Sequence, residues 1–351
     1  MHFASDNWAG AHPNIVRGLA EAAEGHAPAY GASELDKKVE QRFSEIFERD
    51  VAVFFVGTGT AANALALASY SRPGGQIFCH AEAHVNMDEC NAPEFFTGGA
   101  KLVPVTGPQG RITPETLATA IARFPPGVVH GGQPVAVTIT QATEAGTVYS
   151  LDQIGAIGEV ARKAGLPLHM DGARFANALV TLGATPAEMT WKRGVDILSF
   201  GGTKNGCWCA EALVLFDPGR AREMHYLRKR SAQLFSKSRF IAAQFDAYLR
   251  DGLWLELARH ANAMASKLAA GLATTRNARL AWPTGSNEIF AILKNAKLQA
   301  LRDQGAVFYD WPATATIKDE LAPDETMIRL VTSYATTDGE VDAFLSICTA
   351  E

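Results

Sequence analysis

Short apolar runs rich in β-branched residues alternate with helix-like segments along the first two thirds of the chain. The runs predict strands at Val51–Val56, Gln76–Cys79, Lys101–Thr106, Pro134–Thr140, Leu166–Met170, Val195–Phe200 and Glu211–Phe216. Segments such as Pro114–Phe124 and Leu151–Ala164 separate several of these runs and have the composition of helices. This alternation predicts an α/β fold with a mostly parallel central sheet and helices on both faces.

The last third of the chain has a different pattern. The segment from Arg220 to Thr274 is almost entirely helical in character, and shorter strands then mix with helices. The later predicted elements are strands at Asn287–Leu293 and Met327–Ser333 and helices at Ala296–Gln304 and Asp338–Thr349. We therefore expect a large domain over residues 1–240, including an N-terminal arm, and a smaller α+β domain over residues 241–351.

Composition narrows the class of protein. A chain of 351 residues with 47% hydrophobic and 20% charged positions has the make-up of a globular protein of about two domains. A net charge of -5 gives no positive field to attract nucleic acid or an anionic membrane, so we expect a small-molecule partner. The five dispersed cysteines and the absence of a signal-like or 18-residue apolar segment predict a cytoplasmic protein. Cys207 and Cys209 are too closely spaced for a zinc pair, so no metal site is expected.

A glycine-rich turn follows the first predicted strand. Gly57, Thr58, Gly59 and Thr60 stand where that strand ends and an Ala- and Leu-rich segment begins. Free backbone N–H groups, threonine hydroxyls and the helix dipole at such a position can bind a phosphate. A turn required by backbone geometry alone explains the glycines equally well. The turn is neither a Walker A sequence nor a dinucleotide fingerprint, which favours the phosphate of a smaller cofactor.

Two charged residues follow the strand Leu166–Met170. Asp171 comes at its carboxyl end, where open α/β sheets bind ligands, although a helix N-cap also explains a lone aspartate there. Arg174 would lie in the first turn of the next helix, where the dipole disfavours a positive charge. We therefore expect a specific anionic partner for Arg174, with a surface ion pair as the alternative.

A lysine lies in a turn after the strand Val195–Phe200. Glycines border Thr203 and Lys204 on both sides, so the amine of Lys204 can enter a cleft and act as a Schiff-base nucleophile. An exposed lysine is the alternative. His84, shortly after another strand, is a candidate for an aromatic platform, a general base or a buried core histidine.

Together these pieces resemble the low-specificity L-threonine aldolases, members of the β-eliminating lyase group of fold-type I pyridoxal phosphate (PLP) enzymes. The matching residues occur in the family's order over nearly the whole chain: Ser5-Asp6-Asn7, Tyr30-Gly31, Gly57-Thr58-Gly59-Thr60 with Asn63, Ala83-His84, His169-Met170-Asp171-Gly172-Ala173-Arg174 with Asn177, Thr203-Lys204, and Ile328-Arg329-Leu330-Val331-Thr332. Several short motifs in order are more specific than any one of them. The resemblance implies a fold-type I, PLP-dependent transferase-like fold.

The resemblance also implies how PLP would be bound. Lys204 would form the internal aldimine, Asp171 would bond the pyridine nitrogen and keep it protonated, and His84 would stack on the pyridine face. The implied cofactor contacts are Gly57, Thr58, Gly59, Thr60, His84, Asp171, Arg174, Thr203, Lys204 and Lys237. Lys237 is aligned with a basic phosphate contact that the family places shortly before its next helix.

The substrate implied by the resemblance is an amino acid. Ser5, Arg174 and Arg329 match positions that bind its carboxylate, a group suited to guanidinium forks. A carboxylate held in the ring plane leaves the Cα–Cβ bond perpendicular to the π-system, so that bond breaks. The implied reaction cleaves L-threonine, L-allo-threonine and related β-hydroxy-α-amino acids to glycine and an aldehyde, through a glycine quinonoid. Tyr30 is a candidate for reaching this site or the partner subunit's site, with interface packing as the alternative.

One departure from the family concerns the catalytic base. Glu144 stands where many members carry a histidine near the substrate hydroxyl, and Gln141 replaces an acid. Two hypotheses follow: Glu144, with its pKa raised by burial, or His84, acting through a water, accepts the hydroxyl proton. The change could also favour bulkier β-substituents such as the phenyl group of L-phenylserine.

Other functions stay open at this point. A β-eliminating lyase or an amino-acid racemase of the same fold would share the lysine, the aspartate and the glycine-rich turn. A nicotinamide dehydrogenase would need a spaced glycine fingerprint and an acidic residue about 20 positions later, and neither is convincing in this sequence. A cofactor-free binding protein is disfavoured by the presence of Lys204, Asp171 and both arginines. The resemblance also implies a homodimer or homotetramer with active sites at the dimer interface.

Overall fold

A twisted central sheet dominates the computed structural model, which describes residues 1–313 and 315–350. Within those residues the sheet has seven strands, β1 (Ala52–Val56), β2 (Gly75–His80), β3 (Lys101–Val105), β4 (Gln133–Thr140), β5 (Leu168–Gly172), β6 (Ile197–Gly201) and β7 (Glu211–Leu215). All seven strands predicted from the apolar runs are confirmed, with bounds shifted by two residues or fewer. Buried strands of this kind are continuous apolar runs because both of their faces are covered.

The strand order across the central sheet is β1-β7-β6-β5-β4-β2-β3. Strands β3, β2, β4, β5 and β6 run parallel, whereas β7 is antiparallel to both of its neighbours. The inversion follows from chain length, since residues 202–210 alone connect β6 to β7 and a parallel crossover needs about a dozen residues or more. Strand β1 therefore points the same way as the parallel strands, and its carboxyl end lies at the same edge of the sheet.

Helices cover the sheet and fill the rest of the fold. They are α1 (Pro13–Ala22), α2 (Glu34–Ile46), α3 (Gly59–Ala68), α4 (His84–Met87), α5 (Ala92–Phe96), α6 (Pro114–Ala122), α7 (Leu151–Lys163), α8 (Phe175–Leu182), α9 (Pro186–Met189), α10 (Ala221–Arg230), α11 (Arg239–Leu249), α12 (Leu253–Ala273), α13 (Asn295–Asp303), α14 (Ala315–Lys318) and α15 (Asp338–Thr349). The predicted helices near α6, α7, α13 and α15 are confirmed. Capping boxes begin three of them, at Thr113, Ser150 and Thr337, where each hydroxyl accepts a backbone N–H that the helix leaves free.

A second, antiparallel sheet lies in the C-terminal part of the chain. Among the described residues it has four strands, β8 (Ala278–Leu280), β9 (Glu288–Lys294), β10 (Tyr309–Asp310) and β11 (Glu325–Val331), in the order β10-β11-β9-β8. The strands predicted near β9 and β11 are confirmed, which gives the smaller α+β unit that the sequence predicts. The N-terminal arm, residues 1–8, joins this unit: Phe3 is buried in its core, and the amide of Val331 donates to the carbonyl of Phe3 at 2.8 Å.

The packing of α11 and α12 bears on the domain boundary. Ile241 and Phe245 of α11 belong to the hydrophobic core under the central sheet, not to the smaller unit. Helix α12 joins the two cores, because Leu257 packs in the larger core and Leu268 in the smaller one. We propose that the boundary lies within α12 instead of near residue 240. No helix in residues 1–313 and 315–350 is both long enough and apolar enough to cross a membrane.

Candidate active site

Two connected cavities open at the carboxyl ends of the parallel strands. The inner cavity, about 270 Å³, is lined by Asn7, Gly57, Thr58, Gly59, Thr60, Asn63, His84, Glu89, Thr140, Ala142, Glu144, Asp171, Ala173, Arg174, Thr203, Lys204 and Glu211. The outer cavity, about 750 Å³, shares His84, Glu144, Arg174 and Lys204 with it and extends to the smaller unit. Topology explains the location, since the loops that follow β1, β4, β5 and β6 all leave the sheet at this edge.

The predicted phosphate-binding turn forms one end of the inner cavity. Helix α3 begins at Gly59, and its N-cap residue Thr58 accepts a hydrogen bond from the amide of Ala61 at 3.1 Å. The amides of Gly59 and Thr60 belong to the first turn, where a helix offers no carbonyl partner. These two N–H groups and the positive end of the helix dipole suit a bound phosphate.

Lys204 reaches both cavities from a tight turn after β6. Residues Thr203–Asn205 form one turn of 3-10 helix, and Asn205 anchors it by donating to the hydroxyl of Tyr248 at 2.7 Å. The structure thus places the amine in a cleft, as the glycine-bordered turn predicts. Glu211 of β7 lines the inner cavity beside it; burial raises the pKa of Glu211 to about 7. The sequence analysis did not identify Glu211 as a site residue, because in the sequence it is only the first residue of a predicted strand.

A chain of hydrogen bonds links Asp171 to His84. The side-chain amide of Asn63 donates to Asp171 Oδ2 at 2.8 Å and lies 2.9 Å from Glu89 Oε1. Glu89 Oε1 is in turn 2.9 Å from His84 Nδ1, and this hydrogen bond raises the pKa of His84. Asp171 Oδ1 also accepts from the amide of Ala173 at 2.9 Å. Both the aspartate and the imidazole are therefore fixed in orientation inside the inner cavity.

Asn63 and Glu89 differ in how far the sequence could identify them. Asn63 is part of the family resemblance, but no role for it is predicted. Glu89 follows His84 by five residues, a spacing without a recognisable motif, and the structure alone shows that it orients the imidazole. Burial raises the pKa of Glu89, and its second oxygen, Oε2, is buried without a hydrogen-bond partner among the described residues.

Glu144 projects into both cavities from the turn after β4. Its Oε1 accepts hydrogen bonds from the amide of His84 at 2.7 Å and from Thr140 Oγ1 at 2.9 Å. Its Oε2 is buried, and no described residue gives it a hydrogen bond. Burial, followed by the charge of Asp171, raises the pKa of Glu144 to about 7. Glu144 is thus a fixed carboxyl group that can gain or lose a proton near neutral pH.

Two arginines meet at the border between the central sheet and the smaller unit. Arg174, the N-cap residue of α8, binds Asp6 through Nε at 2.8 Å and Nη2 at 3.1 Å, and its Nη1 lies 3.0 Å from Glu288 Oε2. Burial opposes the charge of Arg174, but the carboxylates of Asp6 and Glu288 outweigh it and raise its pKa. The anionic partner expected for Arg174 is therefore present twice. Arg329 of β11 lies over the ring of Trp311 at 4.3 Å and lines the outer cavity.

Of the three remaining predicted site residues, one lines the outer cavity and two lie outside both cavities. Ser5 lines the outer cavity, and its hydroxyl accepts the amide of Asn7 at 3.1 Å. Tyr30 and Lys237 are exposed and do not line either of the two cavities as described for this chain. They are close to each other, since the amide of Tyr30 donates to the carbonyl of Ser236 at 3.0 Å.

The fold and the cavities define a class of protein. Three features occur together at the strand ends of a mostly parallel sheet: a helix N-terminus that suits phosphate, Lys204 in the cavity and the oriented Asp171. This combination defines a fold-type I PLP enzyme.

Comparison with known proteins then gives the family. The model of the Beta-eliminating lyase family matches residues 2–296, and the chain belongs to that family. The low specificity L-threonine aldolase of Pseudomonas aeruginosa is 43% identical over 309 residues, which are 88% of this chain and 89% of that protein. The protein of the same description from Pseudomonas sp. (strain NCIMB 10558) is 42% identical over the same shares. A solved structure of Leishmania major threonine aldolase has a TM-score of 0.91, at 29% identity, and covers 99% of this chain and 98% of that one.

The residues around the inner cavity fit PLP, the cofactor of this family. The free amides of Gly59 and Thr60 match its phosphate, and Lys204 lines the same cavity with a primary amine that can bind its aldehyde. Asp171 is held by two donors, so its carboxylate has a fixed direction for a protonated ring nitrogen. His84 supplies a planar ring whose orientation Glu89 fixes.

Proposed function

We propose that the protein cleaves L-threonine, L-allo-threonine and related β-hydroxy-α-amino acids to glycine and an aldehyde. Membership of the family and the relatives named as L-threonine aldolases support a lyase of this type. The observation that carries the proposal is the unpartnered, buried Oε2 of Glu144, which faces the same cavities as Lys204. A retro-aldol cleavage needs such a group, because the β-hydroxyl must lose its proton as the Cα–Cβ bond breaks.

The cavity residues divide the work of binding the cofactor. The chemistry that bound PLP would supply is an electron sink for the pair released from the Cα–Cβ bond. Lys204 would hold the cofactor covalently through its amine, and the amides of Gly59 and Thr60 would bind its phosphate. Asp171 would pair with the ring nitrogen and His84 would lie against the ring. Gly57, Thr58 and Thr203 line the same cavity and would complete these contacts.

Arg174 and Arg329 are the proposed ligands of the substrate carboxylate. Both line the outer cavity together with Ser5, whose hydroxyl can also donate to a carboxylate oxygen. Asp6 holds Arg174 by two hydrogen bonds, so the guanidinium keeps one orientation. A fixed guanidinium orients the carboxylate and thereby the bond to be broken.

Two residues are candidates for accepting the hydroxyl proton. Glu144 has a free oxygen and a pKa of about 7, which suit a base at neutral pH. His84 has its Nδ1 bound to Glu89, so only Nε2 is left to act, through a water. We propose Glu144 as the base and His84 as the alternative.

Replacing Glu144 by glutamine tests this assignment. We expect kcat/KM for L-threonine to fall on the order of 10²-fold or more, the contribution of a positioned base. The wild type should gain activity as pH rises through about 7, because Glu144 must lose its proton to act, and this acidic limb should be absent in Glu144→Gln. Initial rates over a pH series measure both effects.

The same chemical change far from the cavities provides the control. Glu159→Gln alters an exposed glutamate on α7 and should leave the rate and its pH profile unchanged. If Glu144→Gln keeps full turnover while substrate binding is unchanged, Glu144 is not the base and His84 becomes the remaining candidate.

The wall of the outer cavity supports a second candidate, a preference for L-phenylserine. Trp282, Phe290, Tyr309 and Trp311 line this cavity, and the rings of Trp282 and Phe290 are 4.8 Å apart between centroids. A phenyl substituent on Cβ could pack against these rings, whereas the methyl group of threonine would leave much of their surface uncovered. The sequence analysis gives none of these four aromatic residues a role in the site.

Product analysis tests the function and ranks the two candidates. The protein is reconstituted with PLP, and L-threonine, L-allo-threonine and L-phenylserine are added separately, with products identified by mass. We expect glycine together with acetaldehyde from the first two and benzaldehyde from the third. The ratio of kcat/KM values shows which β-substituent is preferred.

Other products would overturn the proposal. A 2-oxo acid and ammonia would mean elimination chemistry by the same fold, and inverted substrate without cleavage would mean a racemase. Unchanged substrates would mean that the cavity does not carry this activity.

We propose that the active protein is a homodimer or homotetramer in which Tyr30 reaches the partner's site, and that Lys237 contacts the cofactor phosphate. Both are exposed and adjacent, outside the cavities of their own chain. The loop that carries Lys237 also passes the phosphate-binding turn, because Gln233 accepts the amide of Gly57 at 3.0 Å. This bond lies within one chain, so it places the loop of Lys237 near the phosphate-binding turn of its own subunit, and a second copy docked on this face would cover the site.

We also propose a cytoplasmic location. Its support is the state of the cysteines, since Cys79, Cys90, Cys207, Cys209 and Cys348 are all free thiols in the structure. Free thiols are typical of proteins in a reducing compartment.

A further inference from the structure

Glu288, the first residue of β9, is a buried carboxylate without an assigned role. Its side chain is 1% exposed, yet it lines the outer cavity. Neither of its oxygens has a hydrogen bond from the described residues. Most buried side-chain polar atoms in proteins have at least one hydrogen-bond partner, so a carboxylate with two unpartnered oxygens requires an explanation.

The surroundings of Glu288 are charged. Its Oε2 lies 3.0 Å from Arg174 Nη1, and its Oε1 lies 3.9 Å from Arg329 Nη1. The charged groups around it are Asp6 on the arm, Arg174 before α8, Lys204 after β6 and Arg329 on β11. The outer cavity that it lines also holds the titratable residues Glu82, His84, Asp88, Glu144, Tyr309 and Asp310. Glu288 thus lies between the two guanidinium groups that the proposed function assigns to the substrate carboxylate.

We propose that Glu288 is the anionic partner of Arg174 and Arg329 in the free enzyme and takes up one proton when a substrate carboxylate binds to them. The inference rests on the proposed function, in which these two arginines bind that carboxylate. The proton comes from solvent and forms an O–H bond on Glu288; no other covalent bond changes. The neutral acid can then donate its hydrogen to the bound carboxylate.

Charge balance is the physical reason for this uptake. Asp6 and Glu288 carry two negative charges, which match the two positive charges of Arg174 and Arg329. A further anion at the same arginines would face Glu288 across a buried space, and like charges so placed favour protonation of one of them. Burial already raises the pKa of Glu288 despite both arginines, which acts in the same direction as a bound anion.

Coupling to a proton has a measurable consequence. Carboxylate binding should weaken as pH rises, by up to about tenfold per pH unit where one proton is taken up. The dependence should disappear in Glu288→Gln, which keeps the shape of the side chain but cannot ionise.

The test uses the PLP-loaded enzyme and 3-hydroxybutyrate, which keeps the carboxylate and β-hydroxyl of threonine but has no amine to react with the cofactor. Calorimetric titration in PIPES and in Tris, two buffers with different ionisation heats, gives the protons taken up per ligand. We expect an uptake approaching one proton in the wild type and none in Glu288→Gln. The dissociation constant should rise with pH in the wild type and stay flat in the variant.

Two further variants separate Glu288 from other groups. Glu144 also titrates near neutral pH, so Glu144→Gln is measured in parallel and should keep the proton uptake. Glu288→Asp restores an ionisable group and should recover uptake at least in part, which a purely structural role of Glu288 would not explain. Circular dichroism confirms that each variant is folded.

The outcomes distinguish this inference from the proposed function. A wild type that cleaves L-threonine but takes up no proton on binding 3-hydroxybutyrate overturns the role of Glu288 and leaves the function intact. Equal uptake in wild type and Glu288→Gln does the same. A wild type that neither cleaves L-threonine nor binds the probe overturns both.

Discussion

Replacing Lys204 by alanine should abolish cleavage of L-threonine, with a loss on the order of 10⁴-fold or more, the scale seen when a covalent nucleophile is removed. Lys204 is the primary amine that the 3-10 turn after β6 holds in both cavities, and only a primary amine can bind the aldehyde of PLP covalently. Borohydride reduction followed by intact-mass measurement should show one cofactor attached to the wild type and none to Lys204→Ala.

The control for Lys204→Ala is the loss of a lysine that lies far from the cavities. Lys163→Ala removes an exposed lysine at the end of α7 and should keep both the attached cofactor and the activity. Lys204→Arg should behave like Lys204→Ala, because a guanidinium keeps the positive charge but is not the required nucleophile. Attachment of the cofactor to Lys204→Ala at wild-type level would show that another lysine holds it.

Asp171→Asn should lower kcat/KM for L-threonine on the order of 10²–10³-fold, the usual cost of removing one pre-oriented electrostatic partner. The variant keeps the size of the side chain and can still accept the amide of Ala173, but it removes the negative charge that faces the cavity. It also places an amide against the donor group of Asn63, so one hydrogen bond is lost. Steady-state kinetics and a thermal melt measure the two consequences separately.

Asp196→Asn is the matched control for this change. Asp196 precedes β6 at the opposite edge of the sheet and accepts the amide of Leu168 at 2.8 Å. Its replacement should reduce stability without reducing kcat/KM. An Asp171→Asn enzyme within twofold of wild-type activity would show that the charge of Asp171 has no part in the reaction.

The sequence predicts the central sheet well because its strands are buried on both faces and stand out as continuous apolar runs. The reversed direction of β7 has no such signal, since it depends on the length of one connection. Strands β8 and β10 are two or three residues long and too short to show a period. Helix α11 is recognisable as a helix, but its pattern cannot tell which of two cores it joins, so the domain boundary near residue 240 stays a prediction.

Some residues of the candidate site can be predicted from the sequence and others cannot. Residues in compact motifs, such as those around Asp171 and Lys204, can be identified because a strand end and a local turn place them together. Partners from distant parts of the chain leave no local trace. Asp6, for example, accepts a hydrogen bond from Asn287, 281 positions away. Glu288 is invisible to sequence reasoning for the same reason, because its importance lies in which arginines surround it.

The N-terminal arm has a consequence for how the molecule is made. Phe3 lies in the core of the smaller unit and accepts a hydrogen bond from the amide of Val331, so its place exists only after the chain has been synthesised beyond residue 331. Contacts of such large sequence separation form slowly, since a long loop must close first. The arm therefore docks after the elements that receive it have formed, and its docking brings Asp6 to Arg174.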